Sequence, residues 1–359
     1  MAKHAIWIGI DLGADKMAVC GTDDNGNVLF EQTVASDGAE FHALVRSRKR
    51  SIKLIAVESC SFSIRLARSL RKFGYPISVF ESRQASKFLG IRKNKTDRND
   101  ARGLADLARL GRGSVSEVCV KSPECQRLRS TLVTRQKLVQ LRTTLEGSLR
   151  SLIRLNGGKL KSSSSLAAFQ RNVVDETKRL RKVAKIDLSD DIEPLVALAA
   201  ATRGYVEALD RRLREEAESN PVCSRFLDIP GIGPITALSF FSSIEDPWRF
   251  RRNADVGAYL GLVPMLRESG QSTPRTRISK AGDKMTRSYL VTAAQHHIAF
   301  ADSALSAWGD RVSGRLRTRG VQTAVARKLA VAMLALWKAD APYQPFYRAE
   351  GAHPAGSGT

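Results

Sequence analysis

The sequence predicts an α/β domain built on a mixed sheet, then a helical coiled-coil region, then a mostly helical C-terminal domain. Three observations predict this. Short apolar runs separated by turn signals and helical patterns fill residues 1–120. Leucines at spacings of three and four then stripe two long charged segments within residues 121–222. Beyond Phe226, glycine and proline turns punctuate further helical patterns as far as residue 345, and residues 346–359 read as a disordered tail.

The elements follow in order. Ala5-Ile6-Trp7-Ile8-Gly9-Ile10 is a buried strand ending at Asp11-Leu12-Gly13. Met17 to Thr22 and Val28 to Val34 flank Asp23-Asp24-Asn25-Gly26-Asn27, whose Asn-Gly pair is a strong hairpin signal. A helical stretch from Asp37 to Arg48 leads to a second apolar run, Ile52 to Val57, which ends at Glu58. A helix (Ser63 to Phe73, stopped by Gly74), a strand (Pro76 to Phe80) and a short helix (Arg83 to Phe88) come next. The order βββαβαβα gives a mixed sheet with helices on its faces. Asp11 and Glu58 both stand at the C-terminal ends of strands, where open α/β sheets place their sites.

Lys95-Thr96-Asp97-Arg98-Asn99-Asp100-Ala101 opens the next helix, with Thr96 as N-cap and Leu104, Leu107 and Ala108 continuing its apolar face. Asp97 and Asp100, three apart, share one face of the first turn, where the helix dipole favours negative charge. Arg92, Lys93, Lys95, Arg98 and Arg102 surround them.

From Ser122-Pro123 a long helix carries Leu138, Leu141, Leu145, Leu149 and Leu152. Gly157-Gly158 and the serines from Ser162 to Ser165 interrupt it, and a short helical piece follows. A second long helix from Asp190 carries Leu195, Leu198, Thr202, Val206, Leu209 and Leu213. The narrow stripes suggest a coiled-coil arm or helical hairpin; two ordinary amphipathic helices on a core fit them as well. Ile229-Pro230-Gly231-Ile232-Gly233-Pro234 has the form of a helix–hairpin–helix turn. There Gly231 and Gly233 let backbone N–H groups approach a phosphate, although the same glycines suit a tight structural turn. Between Arg267 and Arg287, hydroxyl residues mix with Arg275, Arg277, Lys280 and Lys284. That stretch is a solvated loop or a phosphate-binding one, and it feeds a helix after Gly282. Late helices, Ser288 to Phe300 and Gln322 to Trp337, close the domain.

A net charge of +22, from 58 basic against 36 acidic residues, points to a polyanionic partner, with nucleic acid first. No uncharged apolar run approaches the ~20 residues that span a bilayer, so no membrane partner is expected. The N-terminus goes straight into a strand, with no signal peptide visible. Five scattered cysteines form no CxxC pair and read as reduced thiols of a cytoplasmic protein. Four carboxylates (Asp11, Glu58, Asp97, Asp100) at one end of a sheet suggest hard divalent ions, which clamp the attacking and leaving oxygens of a phosphoryl transfer. Each acid also has a separate structural explanation, as a turn residue, a helix-preceding acid or a dipole partner.

Together these residues carry a resemblance. Ile8-Gly9-Ile10-Asp11, Val57-Glu58-Ser59 and the run Asn94 to Arg102 resemble the DEDD-type insertion-sequence transposases. The likeness continues in Ile229 to Gly233, in Tyr259-Leu260-Gly261-Leu262-Val263-Pro264, in Glu268-Ser269-Gly270 and in Ile278-Ser279-Lys280-Ala281-Gly282. It implies a ribonuclease-H-like fold similar to the junction nuclease RuvC for the first domain. It implies two Mg²⁺ ions, with Mn²⁺ as the alternative, on Asp11, Glu58, Asp97 and Asp100. It makes Ser269 the nucleophile that forms a covalent phosphoserine link to DNA, although the residues alone do not separate Ser269 from Ser272 or Ser279. It further implies a structured guide RNA encoded by the element, so that base pairing reads the sites while the protein reads backbone and shape. A homodimer or homotetramer through the helical region, and a cytoplasmic, nucleoid-associated prokaryotic protein, complete the expectation. Arg92, Lys93, Lys95, Arg98, Arg267, Arg275, Arg277 and Lys280 are the candidate nucleic-acid contacts, with Gly231 and Gly233. The chain departs from the family pattern in Ser59-Cys60-Ser61, where Ala-Thr-Gly is usual, and in Pro274.

Three rival functions share parts of this pattern. Ile10-Asp11-Leu12-Gly13-Ala14 before a hairpin resembles the phosphate loop of actin-like and sugar-kinase ATPases, but a second Asp-x-Gly loop is missing. A junction endonuclease cutting by water needs the four acids and not Ser269. A non-catalytic nucleic-acid binder would tolerate Asp11→Asn.

Overall fold

The computed structural model describes residues 5–48, 50–90, 96–111, 113, 115–265, 278–314 and 316–346. The chain forms two compact units, Met1–Ser122 and Pro123–Thr359.

In the first unit, β1 (Ile6–Leu12), β2 (Lys16–Thr22) and β3 (Val28–Ala35) form an antiparallel meander. The predicted turn joins β2 to β3: Asp23 accepts from the Asn25 and Asn27 amides at 2.9 and 2.8 Å, and Gly26 takes φ +88°. After α1 (Gly38–Arg46), β4 (Ile52–Glu58) pairs parallel to β1; after α2 (Ser63–Lys72), β5 (Ile77–Phe80) pairs parallel to β4. The sheet order is β3-β2-β1-β4-β5, a mixed α/β arrangement that fits the expected ribonuclease-H-like domain. Strand side chains alternate between faces. One face (Ile8, Ile10, Val57) packs on Phe41 and Leu44 of α1 and on Leu66 and Leu70 of α2. The other carries α3 (Ser82–Leu89) and α4 (Asp97–Leu110), with Leu104 and Leu107 over Leu54, Ala56 and Phe80.

The second unit is helical: α5 (Pro123–Leu155), α6 (Leu166–Val183), α7 (Ser189–Ser219), α8 (Pro221–Leu227), α9 (Pro234–Ile244), α10 (Asp255–Tyr259), α11 (Lys284–Phe300), α12 (Ala304–Ser313) and α13 (Thr318–Ala339). Leu128 and Leu132 of α5 and Leu213 and Ala217 of α7 join the large core of α8, α9, α11 and α13. The opposite ends of α5 and α7 share a separate core with α6, through Leu149, Ile153, Phe169, Val173, Ile192 and Ala199. The expected short piece after the serines is an 18-residue helix that completes this second core. The expected stripe on α5 also shifts, since Leu141 and Leu152 are 42% and 37% exposed. A straight helix of 3.6 residues per turn carries a 3.5-residue repeat off its seam; α5 buries Leu145 and Leu149 as expected, and Ile153 in place of Leu152. Between the two cores, ion pairs hold the helices: Arg135 with Asp210, and the buried Arg203 with Glu146 at 2.8 Å. Among the described residues, no helix is long and apolar enough to cross a membrane.

Candidate functional site

The acidic edge of the first unit is set by a glycine. A Cβ on Gly9 would lie 2.0 Å from the Ala101 carbonyl oxygen and 2.2 Å from the Ala105 nitrogen, so α4 lies directly on the β1 backbone. Small residues complete the contact, Ala101 and Ala105 against Ala18 and Cys20 of β2. Helix direction follows from its two ends. Ala101 packs at the level of Ala18, the β2 partner of Asp11, while the Arg109 guanidinium lies beside Gly26 and the Asp24 carbonyl at the far end of the meander. The N-terminus of α4 therefore points to the edge where β1 and β4 end.

Asp11 is two residues past Gly9 and Glu58 two past Ala56, so both side chains project on the α4 face. Each stands one step beyond the Ile10–Val57 pair, on parallel neighbours about 4.8 Å apart. The Thr96 hydroxyl accepts from the Asn99 amide at 3.2 Å and starts the helix as its sequence indicates. Asp97 is exposed, whereas Asp11, Glu58 and Asp100 are half-buried. The backbone thus brings the four acids to one edge, but the side chains do not close into a nest. Among the described residues, no three His, Cys, Asp or Glu side chains stand close enough together to hold a metal ion. Mutual repulsion of carboxylates opposes such gathering. As a donor set, four carboxylates and no histidine or thiol fit a hard divalent ion.

A brace that the sequence does not reveal holds α4 to the edge strand β3 on the same face of the sheet. Glu31 of β3 accepts from Arg102, through Nη2 at 2.7 Å and through Nε, and pairs with Arg98 at 3.3 Å. Arg98, expected to contact nucleic acid, is 70% exposed and keeps most of its surface free beside this pair. The Arg102 hydrogen bond, working against burial, holds the Glu31 carboxyl below the usual glutamate range. A depressed folded-state pKa contributes stability that is present above the ordinary value of 4.5 and lost as pH falls through the folded value. We expect Glu31→Gln to cost about 1 kcal/mol at neutral pH. That difference should vanish in acid below the folded-state value. Urea midpoints of both proteins across this range measure it.

In the second unit, two glycines interlock. A Cβ on Gly261 would meet the Ala281 carbonyl oxygen at 2.2 Å, and one on Gly282 would meet the Tyr259 carbonyl oxygen at 1.9 Å. Both have positive φ, +68° and +71°, which glycine alone adopts without cost. Buried Arg287 ties the two strands from behind, donating from Nη1 to the carbonyls of Leu260 (2.9 Å) and Ala281 (2.8 Å). Pro264 then bridges Ile278, and the Ser279 amide donates to the Val263 carbonyl at 2.8 Å. Asp283 caps α11 through the Met285 amide (2.9 Å) and ion-pairs with Arg129 at 2.6 Å. Burial raises its pKa, but the Arg129 charge and the cap bonds prevail and hold the carboxyl below the usual range. The Asp-x-x-Thr spacing was the available sequence signal for this cap.

Lys280, a candidate phosphate contact, is exposed and sits at φ +53°, where a side chain costs about 1–2 kcal/mol. Such an outlier motivates a functional reading. We expect Lys280→Gly to leave the melting temperature unchanged or higher, because glycine relieves the backbone, while DNA affinity falls. A variant that loses both, or neither, contradicts a binding role for this lysine.

The hairpin Pro230-Gly231-Ile232-Gly233 joins α8 to α9 as expected. Gly231 has φ +89° and a Cβ there would meet the Ala293 carbonyl oxygen at 2.6 Å, so its close approach is to α11. Gly233 is the N-cap of α9 with open space where a Cβ would be. Arg92, Lys93, Lys95, Arg267, Ser269, Arg275 and Arg277 lie outside the described residues.

Two family models match the chain. Residues 8–155 match a family model described as a transposase of the DEDD IS110 type, and residues 223–308 match the transposase model of the IS116/IS110/IS902 family. The chain is 28% identical to "Transposase for insertion sequence element IS1111A" of Coxiella burnetii, over 94% of this chain and 91% of that protein. It is 27% identical to "Probable family 20 transposase" of Pseudomonas aeruginosa (94% and 98%). It is 24% identical to "Transposase for insertion sequence element IS1328" of Yersinia enterocolitica (90% and 94%).

Proposed function

Because the chain belongs to the DEDD-type IS110 family of insertion-sequence transposases, we propose that it cuts and exchanges DNA strands through a covalent serine link. In this reading Asp11, Glu58, Asp97 and Asp100 are the metal-binding acids and Ser269 is the nucleophile. The observation that supports it most is the Gly9 contact, which sets the first turn of α4 beside two strand-end acids.

Four carboxylates suit two Mg²⁺ ions, or Mn²⁺ in their place, and such ions when bound stabilise charge on phosphate oxygens. The Ser269 Oγ forms the new bond to phosphorus, one P–O bond to a deoxyribose breaks, and the serine proton ends on the departing hydroxyl. A hydroxyl from a second strand later reverses these changes and frees the serine. Bond energy is kept throughout. The charge of +22 suits a protein that holds DNA together with a structured RNA encoded by the element. Assembly as a homodimer or homotetramer through α5, α6 and α7 would bring several chains to one junction.

The test uses DNA carrying the element's ends, RNA transcribed from its noncoding flank, and Mg²⁺. Wild-type protein should yield a protein–DNA adduct that survives denaturation, and Ser269→Ala should yield none. An adduct formed by Ser269→Ala would sink the serine assignment, and cleavage without any adduct would favour hydrolysis by water.

A further inference from the structure

We propose that a groove along α13 binds unpaired DNA, seating bases on its apolar floor and the sugar–phosphate chain on its cationic rim. The groove has a volume of about 1240 Å³ and lies wholly within the second unit. Its floor is one face of α13, where Gly320, Thr323, Ala324, Ala332 and Ala335 keep the surface low. From Arg319 to Ala335 this trough runs roughly 24 Å at 1.5 Å per residue. One bank is α12, with Leu305 and Trp308; the other is the Pro264–Ile278 bridge with Leu262.

Charge selects the class of occupant. Lys280, Arg311, Arg319, Arg327 and Lys328 line the groove, and among the described residues no acidic side chain does. None of the five has a carboxylate partner among the described residues. The rim therefore suits a polyanion. The floor then selects the form of that polyanion. A duplex offers only sugar and phosphate to a surface of this kind and would leave alanines, Leu305 and Trp308 facing charge. An unpaired strand offers flat base faces, which stack on aromatic rings and cover apolar surface. Half-buried Trp308 carries Lys328 Nζ over its ring at 4.5 Å from the centre, so an aromatic surface and a mobile cation that a phosphate can draw off it meet at one point of the groove.

The choice of DNA rests on the proposed chemistry. Pro264 and Ile278 flank, in sequence, the segment that contains Ser269, and strand exchange must leave nucleotides unpaired next to the broken bond. The groove would hold those nucleotides while the covalent link persists. A hydroxyl-rich or protein partner has no comparable match to five cations that have no carboxylate partner among the described residues.

The test uses the full-length chain and a labelled single-stranded DNA, the duplex of the same sequence and the matching RNA strand, followed by fluorescence anisotropy. Arg319→Glu with Lys328→Glu reverses two exposed charges away from the core. We expect the double variant to lose about tenfold or more in single-strand affinity and to change duplex affinity by less than about threefold. Trp308→Phe should abolish the part of the tryptophan quenching that single-stranded DNA causes in the wild type, while circular dichroism stays unchanged. Equal losses for duplex and single strand, unchanged single-strand affinity, or tighter and equally charge-sensitive binding of RNA would each overturn the proposal. Ser269→Ala should bind single-stranded DNA as the wild type does. The groove assignment can therefore fail while the serine chemistry stands, and the reverse.

Discussion

Asp11→Asn should abolish strand cleavage while DNA binding persists. Asp11 stands one residue before the end of the central strand and one step beyond the Ile10–Val57 pair, on the face that carries α4. Replacing one carboxylate oxygen by an amide removes a hard anionic ligand and changes the side-chain volume very little. Loss of several kcal/mol of transition-state stabilisation corresponds to a rate lower by about a thousandfold or more. Affinity for DNA should hold or rise slightly, since a negative charge is removed from a basic protein. Cleavage of labelled element-end DNA in Mg²⁺, beside a binding titration in the same buffer, separates the two effects. Retained cleavage would remove Asp11 from the reaction and would leave a binding protein whose acids only cap and turn.

Gly9→Ala is expected to be the most damaging single-methyl change in the first unit. The new Cβ would stand 2.0 Å from one backbone atom of α4 and 2.2 Å from another, and neither can rotate away as a side-chain end could. Helix and strand must separate, opening the contact between Ala101, Ala105, Ala18 and Cys20. Overpacking of this kind costs roughly 3 kcal/mol or more. The melting transition of this unit should fall on the order of 10 °C, and cleavage should fall with it because Asp97 and Asp100 move relative to Asp11. A Gly21→Ala control differs in kind, since the atoms nearest its Cβ would be carbons of the Phe30 ring, a side chain rather than backbone. If Gly9→Ala melts like the wild type, the helix is not seated on β1 as described.

Much of this was legible in the residues. The hairpin at Asn25-Gly26, the two strands ending in acids, and the Thr96 cap are local signals, set by backbone geometry within a few residues, and the structure has each of them. Pairing across long separations was not legible. Glu31 looks like an ordinary exposed strand residue until α4 folds over it with Arg102, 71 positions along the chain. Arg287 closes a stretch rich in cations and hydroxyls, yet it is buried on two carbonyls. The α5 stripe holds at Leu145 and Leu149 but not at Leu141 and Leu152: periodicity fixes the angle between residues but not which partners cover them, and two cores divide that helix. The acids show the same limit, since strand position determines the edge they share and not how their side chains settle there.

The interlocked glycines at positions 261 and 282 have an evolutionary consequence. Steric necessity at those two positions, with the Pro264–Ile278 bridge beyond them, fixes where that crossing closes. The entropy of closing a loop grows only slowly with length. Relatives that keep the serine could therefore lengthen, shorten or rewrite the residues between Ser269 and Ile278 to suit new nucleic-acid sites without unsettling the helices beneath, which makes this crossing a natural place for specificity to diversify.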